Sequence, residues 1–490
     1  MRKKISLILF FAVTFSQAGV QAQDNSGKTW TLQECIEYGV KHNLQVQGAK
    51  LQVEVNRISV KQAKLRQLPS LNASFGNTMS WGRSLDQTTY EYKDQRLYTN
   101  NTGLNSSVNL VNGFQIRNRI KQAEYEAEAS HFGLKKTEND IRLKIATAYL
   151  NTLYVQELRS VAVSELESIK KQRDRTKALV DAGAKPKTDL LHMESQVATR
   201  EVDLVRRQNE LNAALLNLKQ TMQLPDSEKF SVAVPEITVE GLALEAASAD
   251  YVYNQALLVL PEVMKSELDV KSANAALANA FVRFLPSLSL NAGIGTRYSD
   301  GQDSYIDGVR RVKNEFGAEP IGLLNNDKTQ VVYSMPRVVE SDQPIVVDGY
   351  SMGKQYKDNL GYSVSLSLSF PIFNGYSIRS AYQRSKIEKQ QQELQRKQVD
   401  NQLRQEIEKV YNDAQASLKV YQSAQKQVES LEETFKAQEK RYNLGAVSFV
   451  DYQVAQTDFV VAQSQLIQAK YDYIFKTKVL DFYLGKPLSF

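Results

Sequence analysis

The chain has 490 residues, of which 42% are hydrophobic and 24% charged, and its formal net charge is +6. Lysines and arginines are interspersed with acidic residues along helix-like stretches, which is typical of solvated helix surface. A nucleic-acid partner is not expected, because such proteins cluster basic residues on one face. Beyond the N-terminus no run of about 18 apolar residues occurs, so no membrane-spanning helix is predicted.

Residues 1–22 are predicted to be a secretory signal peptide. Three basic residues at positions 2–4 precede an apolar core at 5–13 and a small-x-small cleavage site at 20–22. The mature chain is therefore expected to begin near Gln23, outside the inner membrane. The single cysteine, Cys35, excludes an intrachain disulfide and is expected to be a small buried residue on a helix.

Residues 23–225 are predicted to form a first unit with the order helix, two strands, very long helix, helix. Leu71, Ala73 and Phe75 alternate with polar residues, which indicates a strand with one apolar face. The long helix is predicted over residues 115–180, which contain no proline and only Gly133 as a weak point. Its apolar residues recur at spacings of three, four or seven, so a coiled coil about 100 Å long is expected.

Residues 226–248 are predicted to connect this unit to a second one, residues 249–490, with the same order of elements. The second unit holds the clearest strand, residues 362–370, in which apolar and polar residues alternate throughout. It also carries an extended loop at about 299–358, where Gly, Asp, Asn and Pro are frequent and no period is visible.

An internal repeat relates the two units. Residues 112–117 (NGFQIR) recur as residues 374–379 (NGYSIR), and residues 68–71 (LPSL) recur as residues 285–288 (LPSL). The fold predicted is mainly α with a small β part: antiparallel coiled-coil helices joined to four amphipathic strands. Four strands are too few to close a membrane β-barrel, which needs about eight. Two copies of the chain would supply eight strands and three copies would supply twelve, so an oligomer is expected.

This layout resembles the TolC-like outer membrane efflux protein family. The residues that carry the resemblance are Thr31 to Cys35, the paired Leu-Pro-Ser-Leu and Asn-Gly segments, and the Gly-to-Asp helix tips. It implies a homotrimer with a twelve-stranded transmembrane β-barrel that continues into a periplasmic helical barrel, with residues 226–248 as an equatorial segment between the two repeats. The expected partners are outer-membrane lipid, a periplasmic adaptor protein and an inner-membrane transporter of the RND, ABC or MFS type. The expected function is a passive exit duct, not an enzyme.

The same resemblance assigns a gate to the periplasmic end of the helices. Asp189 and Asp451, each six residues after a tip glycine, would form rings of carboxylates in an oligomer. Tyr442 would tie neighbouring helices together, with Asp189 as one candidate partner. Two positions that carry charged residues in the family are Val447 and Val454 here. The contact that holds the end shut is therefore expected to be weaker, or to be built from residues such as Lys185, Lys187 and Arg441. The remaining positions singled out are the helix-tip turns Gly183 and Gly445 and the strand-to-helix junctions Pro69, Pro286, Gly113 and Gly375.

Catalytic, cofactor and metal sites are not predicted. His42, His131 and His192 are isolated on helical stretches without ligand spacing, and no nucleophile–base pattern occurs. An ordinary first-turn acid, stabilised by the helix dipole, is the competing interpretation of both Asp189 and Asp451. The alternative function is a periplasmic coiled-coil adaptor or scaffold without a pore. That reading is disfavoured because an adaptor normally has a single helical hairpin between β-rich domains.

Overall fold

A computed structural model describes residues 29–85, 92–225, 230–235, 248–324 and 329–488. The predicted signal peptide and most of the 226–248 connection lie outside these residues. The helices are α1 (Leu32–His42), α2 (Leu44–Leu65), α3 (Gln115–Asp181), α4 (Lys187–Met222), α5 (Ala249–Val259), α6 (Pro261–Phe281), α7 (Met352–Asp358), α8 (Ser377–Asn443) and α9 (Phe449–Tyr483). The strands are β1 (Thr29–Trp30), β2 (Ser70–Leu85), β3 (Tyr92–Val111), β4 (Ser231–Val232), β5 (Ser287–Ser299), β6 (Ser304–Phe316), β7 (Pro320–Leu323), β8 (Val331–Tyr333), β9 (Arg337–Asp348) and β10 (Gly361–Ser369).

The chain divides into two compact units, called unit 1 and unit 2 from here on, whose boundaries differ from those of the two sequence repeats. Unit 1 contains the described residues up to Val53, together with Ser130–Lys265 and those from Lys397 onward. Unit 2 contains Glu54–Ala129 and Ser266–Arg396. None of the helices in the described ranges has a segment that is both long and apolar enough to cross a membrane.

Unit 1 is built on helices that pair in antiparallel fashion. Arg159 on α3 donates a hydrogen bond to Gln208 on α4 at 2.6 Å. Further along α3, Lys170 forms an ion pair at 2.8 Å with the earlier α4 residue Glu201. The helices α8 and α9 are also antiparallel, since later residues of α8 contact earlier residues of α9. The ring contacts join Tyr421 with Tyr473, Phe435 with Phe459 and Tyr442 with Tyr452. The predicted unbroken helix from residue 115 is confirmed as a single element of 67 residues.

The main core of unit 1 surrounds Tyr149 in the middle of α3. Tyr149 is almost fully buried, and its hydroxyl donates to the carbonyl of Ala233 at 2.7 Å, next to the short β1–β4 pair. Burial raises the pKa of Tyr149 to about 12, so its hydroxyl stays a proton donor at physiological pH. Cys35 lies in the same core and is fully buried, which confirms the expectation for this residue.

In each sequence repeat, the single helix predicted before the two strands is broken into two helices in the structure. Asn43 separates α1 from α2, because its side-chain oxygen accepts hydrogen bonds from the backbone N–H groups of Gln45 and Val46 and so caps α2. Pro261 separates α5 from α6. Proline fits the first position of a new helix and disfavours helical backbone at the residue before it.

Unit 2 is built on a four-stranded antiparallel sheet with the order β10-β5-β3-β2. The strands β2 and β3 contain 16 and 20 residues. The alternation of apolar and polar residues that predicted β2 is clear only near its start, from Leu71 to Phe75. Beyond Phe75, the pairing continues through polar residues such as Asn77 and Asn100, whose side chains hydrogen-bond at 2.6 Å.

The segment expected to be a loop at 299–358 differs from the prediction. It contains the hairpin β6–β9, the inner hairpin β7–β8 and helix α7. The hairpin β6–β9 carries cross-strand charge pairs: Arg311 with Asp342 at 3.5 Å and Lys313 with Glu340 at 3.3 Å. A strand is usually recognised in a sequence by an apolar residue at every second position. In this hairpin charged residues occupy such positions and pair across the strands, so the sequence did not indicate a strand.

Helix α7 is fixed to the end of β5 by Gln355. This side chain is 1% exposed; its amide nitrogen lies 2.9–3.0 Å from the carbonyls of Ser299, Gln302 and Tyr350. Its amide oxygen accepts from the N–H of Ser299 at 2.9 Å. The hydrogen-bonding groups of Gln355 are thus fully used in a buried position.

We expect Gln355→Leu to loosen this corner by about 2–3 kcal/mol, because several buried backbone groups lose their partners together. Hydrogen–deuterium exchange should show faster exchange over residues 299–302 and 350–358, with no change in the helices of unit 1. Lys357→Leu, on the exposed side of the same helix, is the control and should leave the exchange unaltered. Equal exchange in the two variants would contradict a clamping role for Gln355.

Candidate functional site

The four-stranded sheet has one apolar and one polar face. Residues directly opposite each other on paired strands share a face. One row of partners runs Tyr362, Ile294, Leu104 and Ala73, and another runs Leu366, Leu290 and Val108. Many of these apolar side chains are exposed in the single chain; Leu366, for example, is 62% exposed. The apolar face is therefore a surface without a covering element within the described chain.

The opposite face is lined by small polar residues and glycine. Its rows of partners are Ser363, Gly293, Asn105 and Asn72; Ser365, Asn291, Ser107 and Ser70; and Ser367, Ser289 and Asn109. A further row contains three glycines on three adjacent strands, Gly361, Gly295 and Gly103, and Ser74 on the fourth strand. We call it the glycine row. Hydroxyl and amide groups on this face suit contact with water, whereas the other face suits contact with lipid.

Both outer edges of this sheet are open. In the described residues β2 pairs only with β3, and β10 pairs only with β5. Each edge presents a line of unpaired backbone N–H and C=O groups. Sixteen residues of β2 and nine of β10 are available for pairing with another strand.

The predicted strand-to-helix junctions occupy the ends of these strands. Pro69 and Pro286 stand immediately before β2 and β5. Gly113 and Gly375 both have φ of +60°, and the next residues, Phe114 and Tyr376, have φ of +69° and +68°. Positive φ is rare for bulky residues. The two junctions therefore share an unusual backbone conformation at positions that the sequence repeat makes equivalent.

The two predicted tip glycines end the long helices. Gly183 follows α3 with φ of +72°, and Gly445 follows α8 with φ of +74°. At each turn the next N–H bonds back to the carbonyl five residues earlier, Ala184 to Leu179 and Ala446 to Arg441, both at 2.8 Å. This is the Schellman arrangement, in which glycine supplies the left-handed conformation.

Tyr442 lies in a cluster of aromatic side chains beside these turns. It is 5% exposed and stacks on Tyr452 with ring centroids 4.9 Å apart. Phe449 packs against both rings, and Phe435 packs against Tyr452. Burial, together with nearby Glu439 and Tyr442, raises the pKa of Tyr452 to about 12. Tyr452 therefore stays protonated at physiological pH.

Lys185 is the polar partner of Tyr442. Its Nζ atom donates a hydrogen bond to the Tyr442 hydroxyl at 3.0 Å and lies 4.1 Å from the ring centroid. Lys185 follows the α3 turn, whereas Tyr442 belongs to α8, so this contact joins the α3–α4 and α8–α9 pairs. No hydrogen bond joins Tyr442 to Asp189 among the described residues of the single chain, so a contact between these two residues in an oligomer stays a prediction. We call the Lys185–Tyr442 contact the latch.

The two candidate gate acids have different surroundings. Asp451 forms a capping box with Ser448: its carboxylate accepts from the Ser448 hydroxyl at 2.7 Å and from the Ser448 N–H at 3.2 Å. Asp189 lies in the first turn of α4, which starts after Pro186 without a side-chain cap. Asp451 is exposed and Asp189 is partly exposed. Both carboxylates therefore stabilise the N-terminus of their helix, as any acid in a first turn does, and both remain accessible to solvent.

Most of the aromatic cluster was not predicted from the sequence. Phe435 and Tyr442 are one heptad apart on α8, and this spacing was the available signal, whereas Phe449 and Tyr452 belong to α9. The histidines serve other contacts: His42 stacks on Tyr38, and His192 stacks on Phe449. Across the described ranges, no group of three or more His, Cys, Asp or Glu residues is arranged to hold a metal ion.

A family model described as outer membrane efflux protein matches residues 40–222 and 342–486. The chain is 24% identical to the cation efflux system protein CusC of Escherichia coli O157:H7 over 288 residues, 56% of this chain and 57% of that protein. The match thus spans little more than half of that relative's length. The alkaline protease secretion protein AprF of Pseudomonas aeruginosa is 21% identical over 452 residues, 91% of this chain and 82% of that protein.

The fold is also similar to that of known channels. A crystal structure of CusC superposes with a TM-score of 0.71 and 16% sequence identity, covering 93% of this chain and 92% of that chain. The open-state MtrE outer membrane channel of Neisseria gonorrhoeae superposes with a TM-score of 0.69 and 18% identity, covering 94% and 89%. At these identities the likeness concerns the fold alone.

Proposed function

Because this chain belongs to the outer membrane efflux protein family, we propose that it is one subunit of a passive exit duct in the outer membrane. The observation that carries the proposal is the register of the four-stranded sheet, with an apolar face on one side and Ser, Asn and Gly on the other. In a membrane the first face contacts lipid and the second lines a water-filled path. The relatives are described as efflux and secretion proteins, and the proposal accordingly includes no catalytic step.

The duct closes by oligomerisation in this proposal. Lipid offers no hydrogen bonds to the open edges of β2 and β10, so in the bilayer each edge pairs with a strand of another copy. Three copies give a homotrimer with a twelve-stranded barrel. Two copies would give eight strands, which is the competing outcome of the test below.

The helical pairs α3–α4 and α8–α9 form the periplasmic tunnel in this proposal, as two tandem structural repeats. The equal backbone conformations at Gly113 and Gly375, and again at Gly183 and Gly445, support the repeat. A periplasmic adaptor and an inner-membrane transporter of the RND, ABC or MFS type complete the system. In this proposal the transporter supplies the energy.

The gate in this proposal is the end of the tunnel that carries Asp189, Asp451 and Tyr442. In a trimer each acid occurs three times, and such a ring of carboxylates favours cations in a narrow passage. The latch would hold the helix pairs of one subunit together in the closed state. The support is the position of Lys185 and Tyr442 next to both tip turns.

The function is tested with the full chain extracted in neutral detergent. We expect a particle of three subunits by mass photometry and stepwise ion conductance after reconstitution in planar bilayers. A two-subunit conducting particle would replace the trimer with the eight-stranded assembly. A water-soluble monomer without conductance would overturn the duct and favour the periplasmic adaptor.

The role of Asp451 is tested by separating its charge from its capping contact. Asp451→Asn removes the charge, and we expect block by a trivalent cation added from the helical side to weaken about tenfold, because the ring of charge is lost. Ser448→Ala is the matched control, since it breaks the capping box but keeps the carboxylate. It should lower stability by about 1 kcal/mol and leave block unchanged. Unaltered block in Asp451→Asn would reduce Asp451 to a capping residue.

A further inference from the structure

Unit 1 contains a cavity of about 710 Å³ that has no part in the duct, the gate or the latch. It lies between α1, the start of α2, α3, the end of α5 and the turn after α9. Cavities of roughly 300–1,000 Å³ are the usual size of small-molecule sites. We call it the basic pocket.

The rim of the basic pocket is strongly positive. Lys41, Lys50, Arg142 and Lys486 line it, one from each of four different elements, against the single acid Glu37. The whole chain, in contrast, has 61 basic and 55 acidic residues. The positive charge of this rim is therefore a local feature and does not follow from the composition.

Three of these cations have no ion-pair partner within 4 Å among the described residues. In the part of the chain that the structure describes, Lys41, Lys50 and Arg142 form no ion pair; Arg142 only donates to Asn139 at 3.3 Å. Lys486 lies 3.6 Å from Asp481. Glu37 accepts a hydrogen bond from Gln33 at 2.7 Å. Three positive charges around one concavity repel one another, and an anion bound there would relieve this repulsion.

The floor of the pocket is apolar. Ile36, Leu260 and Leu488 are almost fully buried, whereas Val259 is 51% exposed. The wall beside Val259 depends on Gly485, which has φ of +77° and lies so close that a Cβ atom there would be 2.9 Å from the valine. The backbone at Gly485 therefore lies close to Val259, and no side chain at position 485 covers the floor of the pocket. An alkyl chain fits such a floor better than water does.

From the charged rim and the apolar floor together, we propose that the basic pocket binds an anionic amphiphile, with one carboxylate or phosphate head and one alkyl chain. The head lies among Lys41, Lys50 and Arg142, and the chain lies on Val259 and Leu260. A fatty acid and a phospholipid-derived molecule share this chemistry. A flat protein partner is disfavoured, because the site is concave and of small-molecule size.

The experiment uses the full chain in nanodiscs of zwitterionic lipid, with octanoate, octyl phosphate, octyltrimethylammonium and octanol as probes. Titrations followed by saturation-transfer NMR should give saturable binding of the two anions, at least tenfold tighter than binding of the cation or the alcohol. Tighter binding of octanoate would indicate a fatty acid, and tighter binding of octyl phosphate would indicate a lipid phosphate. Equal binding of all four probes would overturn the proposal.

Variants locate the binding. The triple variant Lys41→Gln, Lys50→Gln, Arg142→Gln should weaken anion binding at least tenfold. The matched control, Lys144→Gln, Lys177→Gln, Lys426→Gln, removes the same charge from exposed positions outside the pocket and should change it less than twofold. Val259→Ser, at a half-exposed floor position that should tolerate the change, tests the apolar part and should weaken octanoate at least threefold. Equal affinities in the triple variant and its control would also overturn the proposal.

Discussion

Leu366→Arg is expected to prevent stable insertion of the protein in the outer membrane, whereas Ser365→Arg, one residue away, is expected to be tolerated. Leu366 lies on the apolar face of β10 opposite Leu290, and Ser365 lies on the polar face opposite Asn291. An arginine on the lipid-facing side of a barrel costs about 2–4 kcal/mol near the bilayer midplane. An oligomer with one such residue per subunit multiplies this cost.

The measurement is the amount of heat-resistant oligomer in purified outer membranes for the two variants and the natural chain. Leu366→Arg should leave almost none, and Ser365→Arg should leave close to the natural amount with altered conductance, because its side chain lies in the water-filled path. The reverse order would mean that the polar face contacts lipid. Equal amounts would mean that this sheet does not lie in the membrane.

The second large effect is expected at the latch. Lys185→Met removes both the hydrogen bond to Tyr442 and the contact with its ring. A hydrogen bond to a charged group contributes about 1.5–3 kcal/mol, and about 1.4 kcal/mol changes a population tenfold. We therefore expect at least a tenfold rise in the occupancy of the high-conductance state in single-channel recordings.

Two further variants separate the parts of the latch. Tyr442→Phe keeps the stacked ring and the cation–π contact with Lys185 but loses the hydroxyl, so an intermediate rise is expected. Lys187→Met removes an exposed lysine two residues away and should behave as the natural chain. The same conductance change in Lys187→Met and Lys185→Met would show that surface charge near the tip, and not the latch, controls opening.

The elements that could be predicted are those whose physical cause lies along the chain itself. The helix from Gln115 to Asp181 is continuous because nothing within it breaks a heptad pattern, and β10 has its alternation because one face is apolar. The turns at Gly183 and Gly445 carry the glycines that a left-handed helix end requires.

What could not be predicted depends on contacts between distant residues. The hairpin β6–β9 pairs Arg311 with Asp342, so its sequence has the composition of a loop. The break at Asn43 depends on where one side chain hydrogen-bonds. The partner of Tyr442 could not be chosen from three nearby basic residues until their positions around the tip were known. Of the three, Lys185 is the one that donates a hydrogen bond to its hydroxyl in the described chain.

The glycine row bears on the curvature of the sheet. Gly361, Gly295 and Gly103 are neighbours on three adjacent strands and lie on the polar, inner side of the proposed assembly. When a sheet rolls into a narrow cylinder, atoms on the concave side crowd together, and residues without Cβ relieve that crowding. A side chain at Gly103 would already lie 3.2 Å from the backbone oxygen of Ile294. The row therefore allows the strands to bend at this level, where on three of the four strands the passage would be bounded by backbone and not by side chains.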